Sequence, residues 1–461
     1  RSGYRAAMPK PLHLLGRRRT NPARFVALAF AIAVAVGAAL LMLPVSQSDG
    51  HRTTLIDALF TATSAVCVTG LTVVDTGTHW SSVGQVIVLA LVQIGGLGIM
   101  TLASFVALVL NRRLGMNAQH LANTERAAPD AGEVRSLLVA VVRFSLWFEA
   151  AGALLLFVAF SVVHDESWRT AAWDAVFHAV TAFNNAGFGL RSDSMVQYVG
   201  DPFVNGVIMV LVVCGGLGFP VLIELGRRYR RAERNRRPLS LHSRLTLVTT
   251  AGLLVVGAVA LVVMEWTNPL TLGPKPVAEK VMAAMFQSVQ TRTAGFNTLD
   301  VSVMNPASWL VMSVLMFIGG GSASTAGGIK VTTFAVIGMM IWSEVRGDSD
   351  VNARRRRIGD RAQRRAVAIA ALSMGAVVGS GLVLVAISPF DIDRSLFEVT
   401  SAFSTTGLST GITAALPSSA QLVLVGLMYL GRLGPLTLGA ALVLRERHLR
   451  FRYPEEQPII G

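Results

Sequence analysis

Long apolar runs alternate with short amphipathic segments along the chain, and together they form four similar units. Each unit has a long apolar run, a short segment of about 10 to 13 residues, a turn that contains glycine, and a second apolar run. Because a helix needs about 20 apolar residues to cross a bilayer, the long runs predict spans and the short segments predict re-entrant half-helices. The pattern predicts an all-α integral membrane protein of eight spans, with four pseudo-symmetric helix–pore-loop–helix repeats around one pore in each subunit.

The polar segments between these units set the predicted boundaries. The half-helices are predicted at Thr54–Val66, Ala171–Phe183, Ala278–Gln290 and Ser395–Phe403, and the second helix of repeat 2 is predicted to run unbroken over about residues 203–225. The predicted organisation is a cytoplasmic amino terminus (1–23), repeat 1 (24–110), a cytoplasmic loop with repeat 2 (111–225), a cytoplasmic loop with repeat 3 (226–342), a cytoplasmic loop with repeat 4 (343–444) and a cytoplasmic tail (445–461).

Composition and charge place the chain in a membrane. Of its 461 residues, 52% are hydrophobic and only 15% are charged, against about 25% charged residues in soluble domains. Lys and Arg concentrate on the cytoplasmic side of membrane proteins, so the basic segments predict a multi-pass protein of the plasma membrane with both termini in the cytoplasm. This distribution, and not a nucleic-acid site, accounts for the net charge of +14. The basic segments hold 31 of the 41 Lys and Arg residues and are Arg1–Arg24, Arg112–Arg135, Arg227–Arg244, Arg346–Arg365 and Arg445–Arg452.

The cysteines and the amino terminus add little. Cys67 and Cys214 fall in different units, so they predict neither a disulfide framework nor a metal site. We expect no cleavable signal peptide, because the first apolar run is long and no small-residue cleavage site follows it. Met8 is a candidate native start, and residues 1–7 are given no functional role.

A glycine recurs after each predicted half-helix, at Gly70, Gly187, Gly295 and Gly407. Close helix packing explains one such glycine, but not four in register behind re-entrant segments. A half-helix that enters from outside directs the negative end of its dipole inward, and loop carbonyls can replace the hydration shell of an alkali ion. The two residues before each glycine are never acidic, which argues against a carboxylate ring. The predicted residues of these four filter loops (66–70, 183–187, 291–295 and 403–407) are Val68, Thr69, Gly70, Asn185, Ala186, Gly187, Thr293, Ala294, Gly295, Thr405, Thr406 and Gly407.

Small residues interrupt the second helix of repeat 3, between the apolar runs Trp309–Phe317 and Val331–Trp342. Irregular backbone at this depth is tolerated only where protein buries it or where it lines a water-filled path, so residues 319–330 are the predicted gate loop. Arg432 lies at the corresponding depth of repeat 4. At about 10 Å and an effective dielectric of about 20, its charge would raise the energy of a passing cation by roughly 1.7 kcal/mol. The alternative is a structural role, in which Arg432 pairs with a carboxylate or a carbonyl. The predicted gate residues are Gly319, Gly320, Gly321, Ser322, Ser324, Thr325, Gly327, Gly328, Lys330 and Arg432.

Three further polar residues are predicted to support the filter. Arg292 lies in the third filter loop, where it cannot easily face the ion, and Glu398 lies in the fourth half-helix. We predict that these two side chains pair behind the filter and hold the loops in place, with Asn184 as a further support. Glu149 is predicted to make a polar contact between helices.

These motifs carry a family resemblance that covers about Arg24 to Gly461. The matching segments are Val68-Thr-Gly-Leu71, Asn184-Asn-Ala-Gly-Phe188, Thr291-Arg-Thr-Ala-Gly-Phe296, Ser404-Thr-Thr-Gly-Leu408, Gly319–Lys330 and Gly431-Arg-Leu-Gly-Pro435. With them the chain resembles the Trk/Ktr/HKT superfamily of potassium transporters. It looks most like the KtrB type of membrane subunit, because no extra helix pair precedes repeat 1 and because residues 453–461 are similar to KtrB tails.

The resemblance implies channel-like potassium uptake, with potassium held by the filter carbonyls, because all four filter glycines are present. It implies a homodimer with one pore in each subunit. It also implies gating by a cytoplasmic ring of KtrA-type subunits that bind adenine nucleotides, with the gate loop and Arg432 as the moving barrier. Sodium is expected to stimulate transport, and no cofactor beyond potassium is expected.

Two other classes compete with this interpretation. An ATP-driven pump is disfavoured, because Lys330 is followed by Val331, which breaks the phosphate-loop pattern, and because no soluble nucleotide domain is present. A proton- or sodium-coupled cation symporter also suits broken helices, but such carriers usually have two inverted halves and not four repeats of one orientation. No enzymatic activity is predicted.

Overall fold

Helices carry almost all of the ordered secondary structure in the computed structural model, which describes residues 22–48, 50, 52–116, 131–229, 238–353 and 356–444. A π-turn at Ala159–Val163 extends α5. A two-residue antiparallel hairpin, β1 (Asn352–Ala353) with β2 (Arg356–Arg357), lies between α12 and α13. The helices are α1 (Pro22–Leu41), α2 (Leu55–Val66), α3 (Thr76–His79), α4 (Ser82–Met116), α5 (Ala131–Val158), α6 (Trp168–Phe183), α7 (Pro202–Leu217), α8 (Phe219–Tyr229), α9 (Leu241–Glu265), α10 (Val277–Gln290), α11 (Pro306–Phe317), α12 (Val331–Arg346), α13 (Asp360–Ile387), α14 (Ile392–Ser404) and α15 (Ser418–Leu444).

Several described helices suit a membrane. Leu138–Val163, Leu241–Glu265 and Asp360–Ile387 are each long and apolar enough to cross it. The pair α7 and α8 meets the same criterion together, but it bends by 105°. Shorter apolar stretches lie in α1, α4 and α11. The predicted helical architecture is confirmed, whereas the number of eight spans stays a prediction. The predicted cytoplasmic segments 1–21, 117–130, 230–237 and 445–461 lie outside the described residues.

The four short helices α2, α6, α10 and α14 lie at the predicted half-helix positions, with starts that differ by one to three residues. Local capping explains where two of them begin. Thr54 accepts the Asp57 N–H at 3.2 Å while the Asp57 carboxylate accepts the Thr54 N–H at 3.0 Å, a capping box that starts α2. Ser167 caps α6 by accepting the Thr170 N–H at 3.3 Å. The carboxyl-terminal halves of the short helices are buried.

The half-helices join the four repeats into a cycle. Each packs against a long helix of its own repeat and also against the second helix of the preceding repeat. These second contacts are α2 with α15, α6 with α4, α10 with α7 and α14 with α11. Because α2 of repeat 1 contacts α15 of repeat 4, the arrangement closes on itself, and the half-helices lie at its centre.

One predicted helix is wrong. Repeat 2 has no continuous second helix over residues 203–225, because α7 ends at Leu217 and α8 starts at Phe219. Gly218 between them has φ of +92°, which a continuing helix cannot accommodate. Pro220 follows in the first turn of α8, where its missing N–H costs little. Repeat 3 is therefore not unique in having a broken second helix.

Candidate functional site

Every filter loop has the same backbone conformation. The four loop glycines have positive φ, between +66° and +93°. The residue two positions before each glycine is also left-handed, although it is never glycine; these residues are Val68 (+57°), Asn185 (+58°), Thr293 (+69°) and Thr405 (+51°). Such conformations cost of order 1–3 kcal/mol each for residues with a side chain and persist where the surroundings enforce them. The repetition of this strain four times indicates a common purpose for the loops.

The four filter loops meet in a closed ring. A Cβ atom added to each loop glycine would collide with the carbonyl oxygen that precedes the next glycine around the ring. The contacts are Gly70 with Ala186, Gly187 with Ala294, Gly295 with Thr406, and Gly407 with Thr69. Glycine is therefore needed at these positions for space as well as for positive φ.

The N–H groups of the ring point back at the half-helices. Thr69, Ala186 and Thr406 each donate to the carbonyl five residues earlier, at 2.7, 2.8 and 2.9 Å. In the third loop, Ala294 and Gly295 share one carbonyl at the end of α10, at 3.0 and 3.3 Å. Within the described part of the chain, no hydrogen bond reaches the carbonyls of residues 68–70, 185–187, 293–295 and 405–407. The ring thus offers acceptors without competing donors, which suits a cation.

The predicted gate loop packs into the break of repeat 2. Gly321 donates its N–H to the Gly216 carbonyl at 2.8 Å, and Phe219 donates to the Ala323 carbonyl at 3.2 Å. A Cβ on Gly218 would come within 3.3 Å of the Ala323 carbonyl group. The broken helices of repeats 2 and 3 therefore satisfy one another's free backbone groups.

Arg432 ties the gate loop to two other repeats. One guanidinium nitrogen donates to the Thr325 carbonyl, and another donates to the Gly95 carbonyl of α4 at 3.3 Å. The Thr325 hydroxyl in turn donates to Asn185 Oδ1 in the second filter loop at 2.9 Å. Arg432 is 4% exposed. Arg432 therefore contacts the gate loop, and two of its nitrogens donate to carbonyls while Nε has no hydrogen-bond partner; its role as a barrier stays a prediction.

A second cation, Lys330, ends the gate loop. Its ammonium donates to the Ala326 carbonyl at 2.6 Å. A Cβ on Gly327 would collide with the Ser404 carbonyl and the Thr405 hydroxyl, so the loop also touches the fourth filter loop. Among the ion pairs of the described residues, neither Lys330 nor Arg432 has a carboxylate partner. The gate loop thus brings net positive charge next to the ring.

The predicted ion pair between Arg292 and Glu398 is wrong. Arg292 donates to the Gly319 carbonyl of the gate loop at 2.7 Å. Glu398 accepts instead from the loop 409–413 of its own repeat, including the Thr410 N–H at 2.9 Å. The carboxylate finds enough donors close by, so it has no need of the guanidinium. The role of each residue as a filter support stays a prediction.

Asn184 lies behind the second filter loop in a polar cluster. Its amide donates to Gln93 at 2.8 Å, to Glu149 at 3.1 Å and to the Val180 carbonyl at 2.9 Å. Gln93 also donates to both oxygens of Glu149. The predicted polar contact of Glu149 between helices is present, and the role of Asn184 as a filter support stays a prediction.

A family model for TrkH, described as a cation transport protein, matches residues 15–447. The chain belongs to the TrkH family of cation transport proteins. It is 38% identical to Ktr system potassium uptake protein B of Bacillus subtilis, over 96% of this chain and 97% of that protein. It is 39% identical to the protein of the same name in Vibrio alginolyticus, over 95% and 94%. It is also 34% identical to the potassium/sodium uptake protein NtpJ of Enterococcus hirae, over 96% and 98%.

A solved TrkH-family structure has the same fold. The crystal structure of the potassium transporter TrkH from Vibrio parahaemolyticus superposes with a TM-score of 0.71 at 18% identity, over 95% of this chain and 87% of that one. The resemblance inferred from the sequence motifs is confirmed, including the similarity to Ktr membrane subunits of the B type.

Sequence reasoning missed one charged cluster of this TrkH-family chain. Arg191, four residues beyond Gly187, donates to Glu166 at 2.5 Å and to Asp174 at 2.9 Å. Tyr198 donates its hydroxyl to Glu166 at 2.9 Å. The charged residues are visible in the sequence, but their spacing does not indicate that they meet. The cluster braces the segment that leaves the second filter loop.

Proposed function

We propose that this chain conducts potassium into the cell through the ring of four filter loops. The observation that carries the proposal is the closed ring itself, whose carbonyls accept no hydrogen bond from the described residues, while the N–H groups of Thr69, Ala186, Ala294 and Thr406 donate to the half-helices behind it. Rings of carbonyls of this kind can replace the water around an alkali ion. The names of the Ktr relatives, which are potassium uptake proteins, support the choice of ion.

Helix dipoles add to the attraction. The carboxyl-terminal ends of α2, α6, α10 and α14 lead directly into the ring. Each such end carries roughly half a negative charge. Together they stabilise a cation without an acidic side chain, so the ion keeps no strong partner and can leave again.

The gate loop is the proposed barrier next to the filter. It contacts the second and fourth filter loops through Thr325 and Gly327, and it holds Lys330 and Arg432 beside them. Both cations oppose a passing potassium ion. Because the loop is held by a limited set of hydrogen bonds, a shift of α12 or α8 would move it away from the ring and open the path.

In this proposal the gate loop is controlled from the cytoplasm. The protein acts as a homodimer in the plasma membrane, with cytoplasmic termini and one pore in each subunit. A cytoplasmic ring of KtrA-type subunits that binds adenine nucleotides moves the gate loop, and sodium stimulates the flux. The names of the relatives, which assign each of them to a Ktr system, support the part of the proposal that concerns a partner subunit. No cofactor other than the transported potassium takes part.

Flux through liposomes that contain only this chain tests the proposal. Rubidium or potassium uptake should follow the ion gradient without ATP, should be unaffected by a proton gradient, and should exceed sodium uptake. Uptake that requires a proton or sodium gradient would instead establish the coupled symporter. Addition of a KtrA-type ring with ATP or ADP should then change the rate, and a nucleotide-independent rate would remove the proposed regulation.

A further inference from the structure

Arg292 is buried with most of its hydrogen-bonding capacity unused. The residue is 5% exposed, and only Nη2 has a partner, the Gly319 carbonyl at 2.7 Å. Nε and Nη1 have none. Among the described residues, no carboxylate lies within ion-pair distance of this guanidinium. A buried cation without a negative partner is costly, so the site calls for a further ligand.

A cavity next to Arg292 has room for that ligand. It lies between α7, α9, α10 and the gate loop and has room for a single small particle, a water molecule or an ion of similar size. Its walls are mostly apolar and include Val213 and Leu254, and its polar side chains are those of Arg292 and Thr250. The Thr250 hydroxyl also lacks a hydrogen-bond partner. The cavity therefore presents unused donors and no acidic oxygen.

The corresponding place in repeat 2 is filled by the protein. Asn184 and Arg292 both stand three residues before their filter glycine. The amide of Asn184 donates to Gln93 of α4 and to Glu149 of α5, at 2.8 and 3.1 Å. A carboxylate thus lies behind the second filter loop.

The third filter loop has no counterpart of the Gln93 oxygen. Gly95 of α4 and Gly215 of α7 are equivalent, because an added Cβ on either would collide with the carbonyl of the last residue of a half-helix. Two residues before them stand Gln93 and Val213. Val213 lines the cavity and cannot accept a hydrogen bond. Behind the third filter loop the stronger donor Arg292 therefore meets the apolar Val213, whereas behind the second loop Asn184 meets the oxygen of Gln93.

We propose that this cavity binds a small monovalent inorganic anion of the halide class, held by Nε and Nη1 of Arg292 and by the Thr250 hydroxyl. One guanidinium balances one negative charge, and apolar walls suit a weakly hydrated ion. A water molecule would satisfy the donors but would leave the guanidinium charge offset only by the carboxyl-terminal dipole of α10. Because Arg292 also holds Gly319, the anion links the third filter loop to the gate loop.

Anomalous scattering from bromide tests the site directly. In crystals of the full chain grown with bromide in place of chloride, we expect an anomalous peak within hydrogen-bond distance of Arg292 Nε and Nη1. Arg292→Gln should abolish this peak, while Arg394→Gln, a change at a partly exposed arginine, should leave it. Ordered density at the site without an anomalous signal would overturn the proposal, because it would identify the ligand as water.

A second variant keeps the site testable if Arg292→Gln does not fold. Val213→Glu places a carboxylate on α7 at the position that Gln93 occupies on α4, so it should supply the charge from within and exclude bromide. In thermal unfolding at constant ionic strength, wild type should gain several degrees in chloride over gluconate, because a ligand of the native state stabilises it. Val213→Glu should gain nothing, and an equal chloride effect in both proteins would contradict the site. Neither the anomalous signal nor the thermal unfolding depends on transport, so a failure of the anion site can be distinguished from a failure of potassium conduction.

Discussion

Gly407 of the fourth filter loop lies against the carbonyl of Thr69 in the first, so the last repeat meets the first and the ring closes. The contact leaves no room for a side chain, and Gly407 has φ of +93°. Each loop is positioned by its neighbour, so a change in one loop disturbs the carbonyls of the whole ring.

Gly407→Ala should therefore damage conduction without unfolding the protein. The added methyl group meets the Thr69 carbonyl, and the left-handed backbone costs roughly 1–2 kcal/mol for alanine. We expect rubidium uptake into liposomes to fall by about tenfold or more, since 1.4 kcal/mol corresponds to tenfold in rate, and the preference over sodium to shrink. Gly426→Ala is the matched control, because nothing lies within 4 Å of its added Cβ. Wild-type selectivity in Gly407→Ala would contradict the ring as filter.

Arg432→Gln should raise the flux. The change removes a positive charge from the gate loop while glutamine can still donate to the Thr325 carbonyl. At about 10 Å and an effective dielectric of about 20, the lost repulsion corresponds to roughly a tenfold faster rate. Rubidium uptake without any regulatory subunit measures it, with Arg394→Gln as control. An unchanged or lower rate in a variant that elutes as folded protein would show that Arg432 is structural only.

Glu398→Ala should destabilise the fold strongly. It leaves the Thr410 N–H and the Thr413 hydroxyl without their acceptor in a fully buried place. Each buried donor left without its acceptor costs about 1–3 kcal/mol, whereas Glu398→Gln keeps one acceptor oxygen and should cost about 1 kcal/mol. Thermal unfolding in detergent should rank wild type, Glu398→Gln and Glu398→Ala in that order, with the exposed Glu344→Ala close to wild type. An unchanged Tm in Glu398→Ala would show that the hydrogen bonds of Glu398 do not stabilise the fold.

The pH dependence of stability should report on Asp201, which caps α7. Burial alone would raise the pKa of Asp201, but the hydrogen bond from His164 and the N–H groups of Val204 and Phe203 outweigh it and hold the pKa below its usual range. The carboxylate therefore stabilises the fold above its unfolded pKa of about 3.9, and this stability is lost as the pH falls through the lower folded value. Asp201→Asn should have a lower Tm than wild type at pH 5, and the two should converge below about pH 3. A difference that is constant with pH would show that the charge contributes nothing.

Repetition made the half-helices and filter loops predictable. Four glycines in register define the ring positions, and the small residues of 319–330 define the gate loop. Gly218 occurs once and is not repeated in the other units, so the sequence did not distinguish it from the other glycines next to it. Pro220 was the local indication of a helix break. The partner of Arg292 was not predictable, because depth in the membrane does not tell which way a side chain points around the axis.

Anomalous scattering from rubidium in crystals of the full chain tests the central claim most directly. The account predicts a peak on the axis of the ring, with comparable distances to carbonyl oxygens from all four filter loops, those of Thr69, Ala186, Ala294 and Thr406 among them. A ring axis without rubidium, with the ion bound only beside acidic side chains such as Glu398, would contradict it.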